Sequence, residues 1–397
     1  MSEVRVNNLS NENNTGGPTI SGITTFSGTN FFVPPQGDTA SRPSSCPPGS
    51  LRFNTDTAHL EYYRGDTIGW QEVEASNVEF SQGVTPSNSG SATVSNSGLG
   101  HRGFAAGGHS GPSGPGYNAT IDFYTISSLG NAQDFGDLSQ SRGNGVAGFA
   151  SRVRGFAAGG IPSQVTIDFV IMSQTGDATD FGDLTEKREG PMGLSSSTRG
   201  IVAGGYSRPS FVRQQIDYVT MASAGDAKDF GDMMVNTEYG SASASTTRGL
   251  LIARQAPGIL NQIEFITIAT QGNALDFGDL SQAHGYTASS ASNATRSISW
   301  GGAAPNTSTK TNIIDFLTIA TKGNSIDFGD TTRTLMSAHA TASPTRSVCY
   351  GGNGGGDNVI EFVEIATTGN AADFGDTSYG SYGKYDGGAF SNGHGGL

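Results

Sequence analysis

The chain has 397 residues and a formal net charge of −13, from 35 acidic side chains against 22 Lys and Arg. That balance argues against nucleic acid or an anionic membrane surface as partner, and no apolar run of the ~18 residues needed to span a bilayer is present. Cys46 and Cys349 stand far apart and offer neither a disulfide framework nor metal-ligand spacing, and the polar N-terminus reads as no signal peptide.

Residues 1–36 are rich in Asn, Thr, Gly and Ser and read as an extended arm that needs a partner surface to order it. Residues 37–75 differ. Leu51-Arg52-Phe53, Leu60-Glu61-Tyr62-Tyr63 and Trp70-Gln71-Glu72-Val73, separated by polar turns, predict a small three-stranded β-meander. Such a sheet is marginal alone, so docking or self-association is expected of it. Residues 76–90 read as a linker, and Ser91 to Ser95 as a strand of the region that follows.

The domain 91–397 repeats from about 91 to 376 and ends in a tail, 377–397. Asp-Phe-Gly-Asp occurs six times, around Phe135, Phe181, Phe230, Phe277, Phe328 and Phe374, at steps of 46, 49, 47, 51 and 46 residues. Each copy follows an Ile-acid-aromatic triplet (Ile121-Asp122-Phe123 is the first) and a Gly-Asn or Gly-Asp turn. Upstream lies Arg-Gly-Phe-Ala-Ala-Gly-Gly, whose Arg recurs as Arg102, Arg154, Arg199, Arg248, Arg296 and Arg346. The fourth unit departs, with Ala253-Arg254 in place of the Gly pair.

A fixed period near 50 with four short strand candidates per unit and no helical periodicity predicts an all-β fold, a six-bladed β-propeller. Small residues let inner strands approach closely. The Phe of the tetrapeptide plugs the gap between neighbouring blades, and the flanking Asp residues cap turn amides or accept from the repeat Arg in a structural ion pair. The first and last units look ordinary, so a closed ring is expected, joining a strand near 91–108 to strands of 360–376. The tail 377–397 adds a strand or covers the seam.

Sharper chemical readings fail on the same periodicity. Asp-Phe-Gly is a kinase metal-binding motif, but six copies at blade spacing, without the accompanying lysine and catalytic loop, argue against it. A calcium loop at Gly176 to Asp180 lacks the EF-hand pattern. The histidines show no ligand spacing. Carboxylates for glycoside hydrolysis recur in every unit, as structural residues do. No cofactor, no metal and no enzymatic activity are expected.

Two resemblances add to this. Phe32-Val33-Pro34-Pro35, Arg42-Pro43, the run Pro48 to Thr57, Leu60 to Tyr63 and Gly69-Trp70 resemble a module common in tail-fibre and other structural proteins of tailed bacteriophages, notably those of marine cyanobacteria. The repeats resemble kelch repeats, with Phe where kelch has Trp. The first implies a virion protein, attached through residues 1–75 to other virion proteins and forming homo-oligomers there. The second implies fold only.

Function is expected where the repeats vary. The triplet acid lies 12 positions before the tetrapeptide Asp in every unit, whereas the connection after the Gly pair has 12, 6, 10, 8, 11 and 7 residues. These loops share one face and carry His109, Tyr117, Tyr206, Arg208, Phe211, Arg213, Asn306 and Lys310. Aromatics with Arg and Asn suit a host-surface glycan or protein. A tail fibre or fibre-like appendage is thus the expected role. A capsid or neck decoration protein without a receptor, and less so a polysaccharide-degrading enzyme, are the alternatives.

Overall fold

In the computed structural model the described residues are 34–44, 46–56, 59–67, 69–72, 101–109, 116–162, 164–207, 211–252, 254–255, 258–283, 285, 289–304, 309–354, 358–378 and 384–397. The protein is all-β, with no helix among these residues. Contacts divide the chain into two units, 1–78 and 79–397. The expected strand at Ser91 to Ser95 and most of the arm and linker lie outside the described residues.

The first unit holds one sheet, in the order Gln36–Gly37, Leu51–Asn54, His59–Tyr63 and Trp70–Glu72. Its first strand pairs parallel with the second and comes from the stretch where the expected arm meets the expected meander, so the sheet has one strand more than expected. One face is polar and buried. Glu61 takes a hydrogen bond from Asn54 Nδ2 (2.9 Å) and lies between Arg42 and Arg52, and the Arg42 contact holds its carboxyl below the usual range.

The second unit contains six sheets of one antiparallel topology. Sheet I is Gly388–Ser391, Arg102–Ala106, Thr120–Thr125 and Gln133–Asp137. Sheet II is Ala147–Ala150, Arg154–Ala158, Gln164–Ile171 and Thr179–Arg188. Sheet III is Met192–Ser195, Arg199–Ala203, Gln215–Thr220 and Lys228–Asp232. Sheet IV is Ser241–Ala244, Arg248–Ile252, Gln262–Thr267 and Leu275–Asp279. Sheet V is Ser289–Ser292, Arg296–Trp300, Thr311–Thr318 and Ile326–Met336, with Asn353–Gly354 added at its edge. Sheet VI is His339–Ala342, Arg346–Tyr350, Val359–Glu364 and Ala372–Asp376. The strands of each are called a to d below, in that order.

The residue types explain the layout. Strand a is made largely of Gly, Ala and Ser, and each a strand neighbours the next, from II through VI to I and back to II. Strand b is buried after its Arg, as in Arg154–Ala158. Strand d shows why the tetrapeptide recurs. In all six c–d pairs the register slips at the triplet: Ile121 faces Gly136 but Asp122 faces Asp134, so Phe135 is the extra residue of a β-bulge. The bulge turns the Phe ring inward, where it meets strands b and c edge-on, as Phe135 does with Phe104 and Phe123.

The same tetrapeptide joins each sheet to the next. Gly176 N donates to Phe135 O (2.8 Å), Ala178 N to Asp137 O (2.7 Å), and Asp177 Oδ1 accepts from Asp137 N (3.0 Å). The three bonds recur at every following junction, and Gly130, Ala132 and Asn131 make them with Phe374 and Asp376. Gly136 has φ +148°, and a Cβ there would lie 2.5 Å from the Gly176 carbonyl oxygen, so the position admits glycine alone without strain.

One expectation is corrected here. Strands 360–376 belong to sheet VI and do not pair with the N-terminal strand. It is Gly388–Ser391 that pairs with Arg102–Ala106. In the departing fourth unit Arg254–Gln255 instead begins a two-residue hairpin with Ile259–Leu260.

Candidate functional site

Two sets of connections leave each sheet at the end marked by the Gly pair: b to c, and d to the next a. Cross-bridges tie them together, as between Glu189 and Tyr206 or Gly285 and Ala303. The variable loops therefore stand beside the chain that passes between sheets.

Beneath these loops lie the triplet acids. Asp122, Asp168, Asp217, Glu264, Asp315 and Glu361 are all fully buried. Such charges need partners, and strand d of the preceding sheet or the connection after it supplies them. Arg142 pairs with Asp168, Arg188 with Asp217 (2.6 Å), Arg333 with Glu361 (3.2 Å) and Lys384 with Asp122 (3.3 Å). Asp315 accepts from Ser281 Oγ (2.7 Å) and Glu264 from the amide of Met234 (3.1 Å). Burial pulls Arg142 and Lys384 below their ordinary values, and the adjacent carboxylates oppose it. The sequence alone did not point to these cations. The signal available was an Arg five positions after the closing Asp, present as Arg142 and Arg188, but displaced at Arg333 and Lys384.

The ion pair expected between the repeat Arg and the tetrapeptide Asp is replaced by something else. Each guanidinium lies over the aromatic of its own strand c, at 4.6 to 5.1 Å from the ring centre, as Arg199 over Tyr218 and Arg154 over Phe169. It then donates to a carbonyl of the next sheet: Arg102 to Met172, Arg154 to Met221, Arg199 to Ile268, Arg248 to Ile319, Arg296 to Ile365 and Arg346 to Ile126. The acceptor is a backbone oxygen at the end of strand c, while the first Asp of the tetrapeptide is exposed on strand d.

The expected binding residues are only partly brought together. His109 stacks on Tyr385 (5.1 Å, 10°), meets Tyr117 edge-on (4.9 Å) and shares a 2.7 Å hydrogen bond between Nε2 and Asn144 Oδ1. Tyr206–Ser207 forms a short hairpin with Phe211–Val212. Arg213 pairs with Glu186 (2.8 Å), and Lys310 Nζ donates to Asn353 Oδ1 (2.8 Å). Arg208 and Asn306 lie outside the described residues, as does the side chain of Phe211. Among the described residues no group of His, Cys, Asp and Glu is arranged to hold a metal.

Between the a strands runs a narrow space lined by Gly148, Gly193, Ala242, Ser290, Ala340 and Ala389. At its far end sits His394, bound through Nε2 to Ala150 O (2.9 Å), while Nδ1 accepts from Gly396 N (3.1 Å). Burial pushes this imidazole down to about 4. At the Gly-pair end, His339 accepts from Gly387 N (2.8 Å), and burial pushes it down to about 3. Neither histidine was singled out by the sequence.

No family model matches this chain, and no curated protein matches it in sequence.

Proposed function

We propose that this chain is a non-enzymatic structural protein of a tailed-phage virion, in which residues 1–75 attach and self-associate and a six-bladed, kelch-like propeller carries a binding face. The observation that carries the attachment reading is that Leu51 to Asn54, Leu60 to Tyr63 and Trp70 fall on consecutive strands of one small sheet. For the propeller, the support is the single topology of the six sheets and the cyclic neighbourhood of their a strands. The triplet carboxylates are buried and engaged in bonds that hold sheets together, which favours a binding role over glycan cleavage. The aromatic and basic side chains of the variable loops then face a host glycan or protein, as a tail fibre or fibre-like appendage requires.

Gold-labelled antibody against this chain, applied to purified virions, is expected to decorate fibres. Label on the capsid or neck would favour a decoration protein, and unlabelled virions would overturn the reading. Replacing Tyr206, Arg208 and Phe211 together by Ala should leave the melt nearly unchanged and weaken adsorption. Undiminished adsorption would move the binding surface elsewhere.

A further inference from the structure

Of the four cations that meet a triplet acid among the described residues, three are arginines and one, Lys384, is a primary amine. It stands at the junction of sheets VI and I, where Gly388–Ser391 pairs with Arg102–Ala106. Lys384 and Asp122 are each fully buried, with Nζ 3.3 Å from Oδ2. The other two Nζ donor directions are taken by the carbonyls of Thr120 (2.5 Å) and Ala105 (3.0 Å), which fix the nitrogen beside the carboxyl group. Tyr350 OH donates to Oδ2 (2.6 Å) and Ser378 Oγ to Oδ1 (2.7 Å). Burial lowers the proton affinity of the lysine and raises that of the tyrosine, so the hydroxyl stays protonated beside the carboxyl.

We propose that Lys384 and Asp122 condense into an intramolecular isopeptide bond. The ammonium passes one proton to the carboxylate within the pair, leaving a neutral amine and a neutral acid, the forms that a dry site favours. The Nζ lone pair attacks Cγ, and the Nζ–Cγ bond forms. The Cγ–O bond then breaks, and that oxygen leaves with two hydrogens from Nζ as one molecule of water. No oxidant or cofactor enters. Tyr350 stabilises the charge that develops on Oδ2 in the tetrahedral stage. Fixed proximity supplies much of the barrier reduction. A guanidinium is a far poorer nucleophile, so the arginine junctions remain ion pairs. The inference rests on the pairing of sheet I and is independent of the virion reading.

Intact mass spectrometry of the full denatured chain tests it. The expected mass is lower than the sequence mass by one water, with a cross-linked fragment containing residues 122 and 384. Lys384→Arg should restore the full sequence mass, and Tyr350→Phe should leave a measurable uncondensed fraction in freshly purified protein. A wild-type chain that keeps its full mass after prolonged incubation would overturn the proposal, as would a water loss mapped to any other pair.

Discussion

Arg346 donates from Nη1 to the carbonyl oxygens of Ile126 (3.3 Å) and Ser127 (3.2 Å), across 220 and 219 residues of sequence. The other repeat arginines make the same kind of contact to the following sheet, so the long-range junction is built like the short-range ones. Arg346→Ala should therefore cost as much as Arg199→Ala, about 2 kcal/mol each for a charged hydrogen bond with its ring contact. Urea unfolding of the two variants checks this, and a much smaller loss at Arg346 would mean the long-range contact is not formed in solution.

Truncation at 355 removes Gly388–Ser391 and the outer strands of sheet VI. If the sheets form a closed ring, the truncated chain should lose its single cooperative transition. A clean melt of that chain would speak for independent sheets.

Gly231→Ala should be among the most damaging small substitutions. The residue has φ +146°, and the new Cβ would sit 2.6 Å from the carbonyl oxygen of Gly272. Backbone strain and displacement of the neighbouring turn together should cost about 2 to 4 kcal/mol. Asn273→Ala removes only the bond to the Asp232 amide and should cost about 1 kcal/mol. Denaturant titration should rank the two in that order.

Arg188→Met leaves Asp217 buried without its cation. The expected loss is about 3 to 5 kcal/mol, well beyond that of Arg199→Ala. Equal losses would show that Asp217 reaches water or takes a proton cheaply.

Acid should act through the two histidines beside the a strands. Burial holds His394 down to about 4 and His339 down to about 3. The unfolded chain takes up protons near the ordinary imidazole value of about 6.5, so these groups favour the folded state fully above that pH. Their contribution falls as pH drops from there toward 4 and then 3. The urea midpoint should therefore decline below about pH 6.5, and His394→Gln should flatten the upper part of that decline. An identical decline in the variant would assign it to other groups.

Periodicity made the strands legible, because a repeat shows in one chain which positions stay fixed. It located the tetrapeptide, the triplet and the variable loops. It misplaced the partner of the repeat Arg because sequence gives the donor but not the geometry: the acceptor is a carbonyl at the end of strand c in the next sheet. The Lys384 junction was hidden for a related reason. Its cation lies eight positions after the closing Asp rather than five, and its acid lies 262 residues away. His394 was illegible too, since its contacts are with Ala150 and Ser195 and the glycines around it carry no period.

The rung that Gly130, Asn131 and Ala132 form with Phe374 and Asp376 uses the same atoms as the five rungs before it. These bonds therefore do not distinguish the joint between the distant ends of the sequence from the joints between neighbouring units. A gene rearranged to begin between sheets III and IV, with its old ends tethered, would find all its joints already suited to the new order.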